Sequence, residues 1–214
     1  MCSKRDGLNE LLFCCTRWIT KGYDFPHVTL VGIISADLSL GFPDFRAGER
    51  TFHLLSQVAG RAGRGNLKGK VIIQTHNPEH YVIQAALEHN FHAFFENEKA
   101  LRKQLRYPPF SHLACIRLKG NSKKKTEEAV HRVRLNTEAV LKQWSKRGKE
   151  IRVMGPVESP IAKIKGKYRW QFLFKCESNG LLKLFLSEVE RLCANGVRSS
   201  VVSLLIEVDP YHML

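Results

Sequence analysis

Residues 167–175 alternate without a break: Tyr168, Trp170, Phe172 and Phe174 fall on one side, Arg169, Gln171, Leu173 and Lys175 on the other. A period of two belongs to a β-strand, whose successive side chains point to opposite faces of a sheet. Four aromatic rings on one face demand a covering layer, because so much apolar surface left in water forfeits the main driving force of folding. Whatever else the chain does, it must build a sheet around this strand and pack something on its aromatic side.

The neighbouring sequence supplies both. Residues 112–118 read as a strand, and a helix opens at Ser122 and runs to about Trp144. Residues 150–154 read as a short strand, followed by a loop pinned by Gly155-Pro156-Val157-Glu158-Ser159-Pro160. A helix is expected over 179–193, stopped by Asn195-Gly196, and residues 200–208 alternate again with Val202, Leu204, Ile206 and Val208 on one face. The order β-α-β-β-α-β is the split βαβ of ferredoxin-like domains. Trp170 then belongs to the core, which leaves Arg169 on the opposite face as a surface candidate. Lys163, Lys165 and Lys167 gather on a glycine-containing hairpin, a compact phosphate-facing cluster or simply solvated lysines at a tip. Lys123-Lys124-Lys125 reads chiefly as solvated charge.

The first half follows another pattern. Residues 8–19 fit a short helix or a strand, and 28–34 form an apolar, β-rich run suited to a parallel strand covered on both faces. Asp37 stands just past its carboxyl end, where α/β sheets place ligand contacts. A helix is expected from Arg46 to Ala62, a strand over 70–75, and a helix capped by Asn77 with Pro78 in its first turn. A further amphipathic helix over 91–106 carries Phe94, Leu101 and Leu105, and Tyr107-Pro108-Pro109-Phe110 ends it. The expected fold class is α/β: a partial parallel α/β lobe over 1–107, then a ferredoxin-like βαββαβ (α+β) domain over 108–214.

Charge separates the same halves. Residues 1–90 hold 10 Lys and Arg against 8 Asp and Glu, and residues 91–214 hold 24 against 12, so +12 of the net +14 falls in the second part. A phosphate-bearing partner is the natural reading. No run of apolar residues is long enough to span a bilayer, and the apolar patch near the start lacks the pattern of a signal peptide. None of the six cysteines forms a C-x-x-C pair, so no metal site is expected and a reduced, cytoplasmic setting fits.

The octet Gln57-Val58-Ala59-Gly60-Arg61-Ala62-Gly63-Arg64 is the most pointed chemical signal. Arginines three apart share a helix face, and glycines beside them let a partner approach closely. Each guanidinium offers a planar fork that matches phosphate oxygens. The octet is a phosphate clamp or, in the plainer reading, a solvated basic turn.

The octet also resembles the last motif of superfamily-two helicases, Q-x-x-G-R-x-G-R. With Thr20-Lys21-Gly22-Tyr23-Asp24-Phe25-Pro26, Gln74-Thr75-His76-Asn77-Pro78-Glu79-His80, Tyr107-Pro108-Pro109-Phe110, Gly155-Pro156-Val157, Tyr168-Arg169-Trp170-Gln171 and Val208-Asp209-Pro210 in order, residues 19–210 resemble the PriA family of bacterial primosomal helicases, also called primosomal protein N′. The resemblance implies the end of the second helicase lobe followed by that family's C-terminal domain. It implies ATP with magnesium, and it makes Arg61 and Arg64 arginine-finger residues that stabilise a transferring phosphoryl group. Gln57, Gly60, Lys21 and Asp24 would face the nucleotide, and Thr20, Gly22, Lys163, Lys165, Lys167 and Arg169 the DNA. Forked or single-stranded DNA, the single-stranded-DNA-binding protein and other primosome proteins are the implied partners, with no membrane.

The departures are as informative. No Walker-type G-x-x-x-x-G-K-[ST] and no Asp-Glu-x-His occur, and the family's zinc cysteines are missing, so the chain is expected to bind no zinc and to be inactive as an ATPase alone. Cys15-Thr16-Arg17-Trp18 stands where the family carries Gly-Thr-Gln-Met, which reads as a substituted or frame-shifted start. Three functions remain open: a helicase part lending its arginines to a separately encoded ATPase lobe, a truncated module that holds DNA or a replisome partner without catalysis, and an RNA- or ribosome-associated βαββαβ protein. The isolated lobe fragment is expected to expose apolar surface and to be poorly soluble.

Overall fold

In the computed structural model the described residues are 12–14 (backbone only), 29–60, 62, 69–194, 201–211 and 213. The chain divides into two compact units, Met1–Leu101 and Arg102–Leu214. Together they are a mixed α/β chain with two separate sheets, the second unit α+β in composition.

The first unit carries a three-stranded parallel sheet, β1 (Leu12–Cys14), β2 (Leu30–Ile33) and β3 (Lys70–Ile73), in that spatial order. Residues 8–19, left open between helix and strand, thus contribute a strand, with Leu12 opposite Leu30 and Leu30 opposite Lys70. Among the described residues four helices accompany the sheet: α1 (Asp37–Leu40), α2 (Ala47–Ala59), α3 (Tyr81–Leu87) and α4 (Phe91–Gln104). Phe52, Leu55 and Val58 give α2 its helical stripe and meet Val31 and Ile33 of β2, Val82, Ile83, Ala85 and Ala86 of α3, and Phe94 of α4 in one core. Phe52 stacks on Phe94 with ring centroids 4.2 Å apart.

Two helix ends differ from expectation. The cap of α3 is His80, not Asn77: its Nδ1 accepts from the Val82 amide at 3.2 Å, because Asn77 lies a full turn too early. Helix α2 stops at Ala59, where Gly60 takes the cap position and its amide donates to the Ser56 carbonyl at 3.1 Å.

The second unit is built on a four-stranded antiparallel sheet in the order β5-β6-β4-β7, where β4 is His112–Gly120, β5 Arg152–Ile164, β6 Lys167–Cys176 and β7 Val202–Val208. Ala114, Ile116 and Leu118 of β4 stand opposite Phe174, Phe172 and Trp170 of β6, so one face is continuous and apolar. The helices α5 (Lys123–Gln143) and α6 (Asn179–Ala194) cover that face. Val130, Val133 and Val140 of α5 and Leu182, Phe185, Leu186 and Val189 of α6 fill the space between, all buried. The aromatic side of residues 167–175 therefore finds the layer it requires.

The expected loop at Gly155-Pro156 belongs instead to β5, a 13-residue strand. It crosses two register shifts, at Met154/Val157 and at Glu158/Lys163, and prolines are tolerated there because β5 is an edge strand whose unused amides face away from the ladder. Gly155 has φ +98°, and a Cβ on it would lie 2.8 Å from the Gln171 carbonyl oxygen.

The polar face of β6 also departs from expectation. Arg169 is only 8% exposed and Gln171 and Lys175 are likewise buried. The long edge strand and the segment before β4 reach over them: Arg169 Nη1 donates to the Ile161 carbonyl at 3.5 Å, and Lys175 Nζ donates to the Leu105 carbonyl at 3.0 Å beneath the Tyr107 ring. Asp209 closes the unit. Its backbone amide donates to the Leu113 carbonyl at 2.7 Å, its Oδ1 accepts from the Leu113 amide at 3.0 Å, and its Oδ2 lies 3.0 Å from His112 Nδ1.

Candidate functional site

The first unit presents the carboxyl ends of β2 and β3 side by side, as a parallel sheet must. Ser35 leaves β2 with φ +54° and turns the chain into α1. Asp37, the first residue of that helix, ties the two strand ends together: Oδ1 accepts from Thr75 Oγ1 at 2.7 Å and Oδ2 from the His76 amide at 2.8 Å. The Thr75 hydroxyl and then the His76 amide hold its carboxyl below the usual carboxylate range. A shallow recess of about 350 Å³ opens beside it, lined by Ser35, Leu38, Gly41, Phe42 and His76. The expectation of a carboxylate at this sheet end is met in position, and its partners are 38 and 39 residues away in sequence.

Helix α2 is anchored at its start. The buried Asp44 carboxylate accepts from the Arg46 amide at 3.0 Å and from Arg50 Nη1 at 2.8 Å. Gly48 is required, because a Cβ there would lie 2.9 Å from Tyr81 Oη and 3.0 Å from Glu98 Oε2, which are themselves hydrogen-bonded at 2.5 Å. At the far end Gln57 is half-buried and Gly60 is exposed. Arg61 and Arg64 lie outside the described residues, as do Thr20, Lys21, Gly22 and Asp24. Of the expected nucleotide-facing set only Gln57 and Gly60 are described, and two such residues alone are too few to cradle a triphosphate.

In the second unit Lys165 and Gly166 form the two-residue turn between β5 and β6, with φ +49° and +79°. Two successive positive φ values match the twist of the flanking strands, and Gly166 makes the turn accessible at low strain. Lys163, Lys165 and Lys167 are all exposed on this tip, and Lys163 Nζ lies 4.7 Å from the Tyr168 ring centroid. Ile161 and Ile164 are exposed on the same hairpin. The tip thus offers three flexible cations, an aromatic face and apolar surface, a composition that holds a phosphate backbone while touching bases. Arg169 is not part of that exposed set. Lys175, His80 and Asp209 were not singled out from the sequence. Asp209 and His80 stood only inside the motifs Val208-Asp209-Pro210 and Gln74–His80, and Lys175 only inside the alternation of residues 167–175.

Among the described residues no three His, Cys, Asp or Glu side chains are grouped to hold a metal ion, and no helix is long and apolar enough to cross a membrane.

Comparison with known proteins bears on this geometry. The family described as the primosomal protein N C-terminal domain matches residues 103–211. Replication restart protein PriA of Bacillus subtilis (strain 168) is 38% identical over 203 residues, 93% of this chain and 24% of that protein. The Synechocystis protein of the same name is 40% identical over 195 residues, 91% of this chain and 22% of that one. The Haemophilus influenzae protein is 35% identical over 209 residues, 98% and 27% respectively. The chain therefore spans about a quarter of the length of these relatives. Among solved structures, a hydantoinase/carbamoylase family amidase from Burkholderia ambifaria aligns with 46% of this chain and 27% of its own at 13% identity and a TM-score of 0.34, too low to bear on the fold.

Proposed function

The chain belongs to the PriA replication-restart family, to whose C-terminal part it corresponds, and from that premise we propose that it works in the restart of DNA replication as the DNA-engaging end of an ATP-dependent helicase. In this reading the first unit is part of the second helicase lobe. The second unit is a ferredoxin-like domain that binds branched or single-stranded DNA. Arg61 and Arg64, beside Gln57 and Gly60 at the end of α2, act as arginine fingers toward an ATP whose phosphate loop lies outside these 214 residues. Thr20, Lys21, Gly22 and Asp24 couple strand and nucleotide, and Lys163, Lys165 and Lys167 meet phosphates. The single-stranded-DNA-binding protein and other primosome proteins are the proposed partners, in the cytoplasm. The observation that carries the reading is similarity to PriA through both units, from the octet to Asp209.

The test is ATP turnover by a helicase piece containing the Walker loop, with and without this chain and forked DNA. Stimulation that disappears in Arg64→Ala supports the reading, and no stimulation by the parent chain refutes its catalytic part. A second reading, a DNA-binding module without catalysis, is favoured by the +12 charge after residue 90. Single-stranded DNA affinity should then fall about four decades per decade of salt if about six phosphates are contacted. Replacing Lys163, Lys165 and Lys167 together by Gln should reduce that slope by about two.

A further inference from the structure

The second unit contains a cleft that the DNA-binding reading does not use. It has a volume of about 630 Å³, within the range of small-ligand sites, and is only half open. Its walls come from three places: Arg106 and Ser111 before and at the foot of β4, Lys149, Glu150 and Arg152 at the entry to β5, and Lys175 and Glu177 at the end of β6. Four cations face two carboxylates, a net charge of +2. One of those carboxylates, Glu177, already lies 3.7 Å from Arg106. The buried surfaces of Ile151 and Cys176 line the cleft.

Lys175 is the fixed point. Its ammonium is held by the Leu105 carbonyl and stands 3.4 Å from the Tyr107 ring centroid, which leaves further N–H groups for a ligand. Burial and then the nearby Arg152 push its pKa below that of an ordinary lysine, and the charge of an anion placed beside the two cations would offset that shift. A diester in mid-strand carries one charge and must continue past the site at both ends. A phosphomonoester carries nearly two charges at neutral pH and can end within a cleft of this size.

We infer that this cleft is a binding site for a phosphomonoester, the terminal phosphate of a nucleic-acid strand or that of a free mononucleotide, seated between Arg152, Lys149 and Lys175. The inference rests on the reading of this unit as DNA-binding and adds to it a recognition of the strand end.

The experiment uses the full 214-residue chain and compares fluorescently labelled oligonucleotides that differ only in a 5′-phosphate or 5′-hydroxyl terminus, with deoxyadenosine monophosphate and deoxyadenosine as competitors. The phosphorylated strand should bind about 10-fold tighter, the effect of a charge-assisted contact set. That ratio should fall to about one in the double variant Lys149→Gln/Arg152→Gln, both surface positions, with folding checked by its melting curve. Competition by the monophosphate but not the nucleoside, as strong as that of the phosphorylated strand, assigns a free nucleotide; weaker competition assigns a strand end. Equal affinity of the two strands for the parent chain, or a ratio unchanged in the double variant, overturns the inference. Salt-dependent binding of the hydroxyl strand reports the general DNA reading separately, so the two can fail independently.

Discussion

The two sheets of this chain solve the same problem to different degrees. In the antiparallel sheet, residues 113–118 of β4 are all buried, and β6 is covered on both faces by the unit's own segments. In the parallel sheet the strands are three or four residues long, and β3 alternates exposed and half-buried, with Ile72 49% exposed. Ile34 and Leu38, beyond the end of β2, are 54% and 72% exposed. Parallel sheets are ordinarily covered on both faces. The difference teaches that the second unit carries its own cohesion, whereas the first leaves apolar surface at the carboxyl ends of its strands, beside Asp37.

The sharpest way to break that comparison is to cut each core. Phe172→Ala, at the centre of β6, should lower the stability of the second unit by about 3–5 kcal/mol. Denaturant unfolding followed by Trp144 and Trp170 fluorescence reads that loss, and hydrogen exchange in α2 and α3 should stay unchanged. An equal loss in both units would refute their independence. Gly155→Ala should cost the same unit about 1–3 kcal/mol through its positive φ and the approach of the Gln171 carbonyl. In the first unit, Tyr81→Phe strips the Glu98 carboxylate of a buried partner and should cost about 1.5 kcal/mol, read by hydrogen exchange in α3 and α4.

The smallest expected effects are titrations, and the two units show them in different pH windows. Burial lowers the pKa of His80 below 6.5, so the unfolded chain takes up a proton first. Its contribution to the first unit is complete above about 6.5 and declines as pH falls toward the lowered folded value. Asp37 extends the decline: its contribution is present above 3.8 and disappears as pH falls through its still lower folded value. His80→Asn keeps a capping side chain and should flatten only the upper part of that acid loss. Lys175 acts in the same direction on the second unit, in an alkaline window. Its lowered pKa means that the unfolded chain holds the proton longer, so stability rises between the folded value and 10.5. Thermal melts across pH that moved both units together would erase the contrast.

What could be read from residues alone follows the same division. The alternation of residues 167–175, the two amphipathic helices and the β-α-β-β-α-β order were legible because each is a local pattern dictated by one covering layer. The burial of Lys175 was not legible, since Leu105 lies 70 residues away in sequence, and that of Arg169 was not, since Ile161 reaches over it only once the long, register-shifted edge strand β5 has formed. Gly155-Pro156 read as a loop because proline interrupts a ladder; that it stands on an edge strand is a property of the whole sheet. Asp37 was legible in place, from its position after an apolar run, while its tie to Thr75 needed the sheet to form first. The octet was legible as a motif, and its two arginines lie outside the described residues.

The closure at Asp209 has a mechanical consequence. Because β4 begins where the chain leaves β7, force applied at those two points acts across the ladder, not along it, and loads its hydrogen bonds one at a time from that end. Leu113 and Asp209 are the first to bear the pull, and the carboxylate's grip on the Leu113 amide thickens the ladder at that place. Tension between those two points would therefore meet one aspartate before any other side chain of the β4–β7 pair.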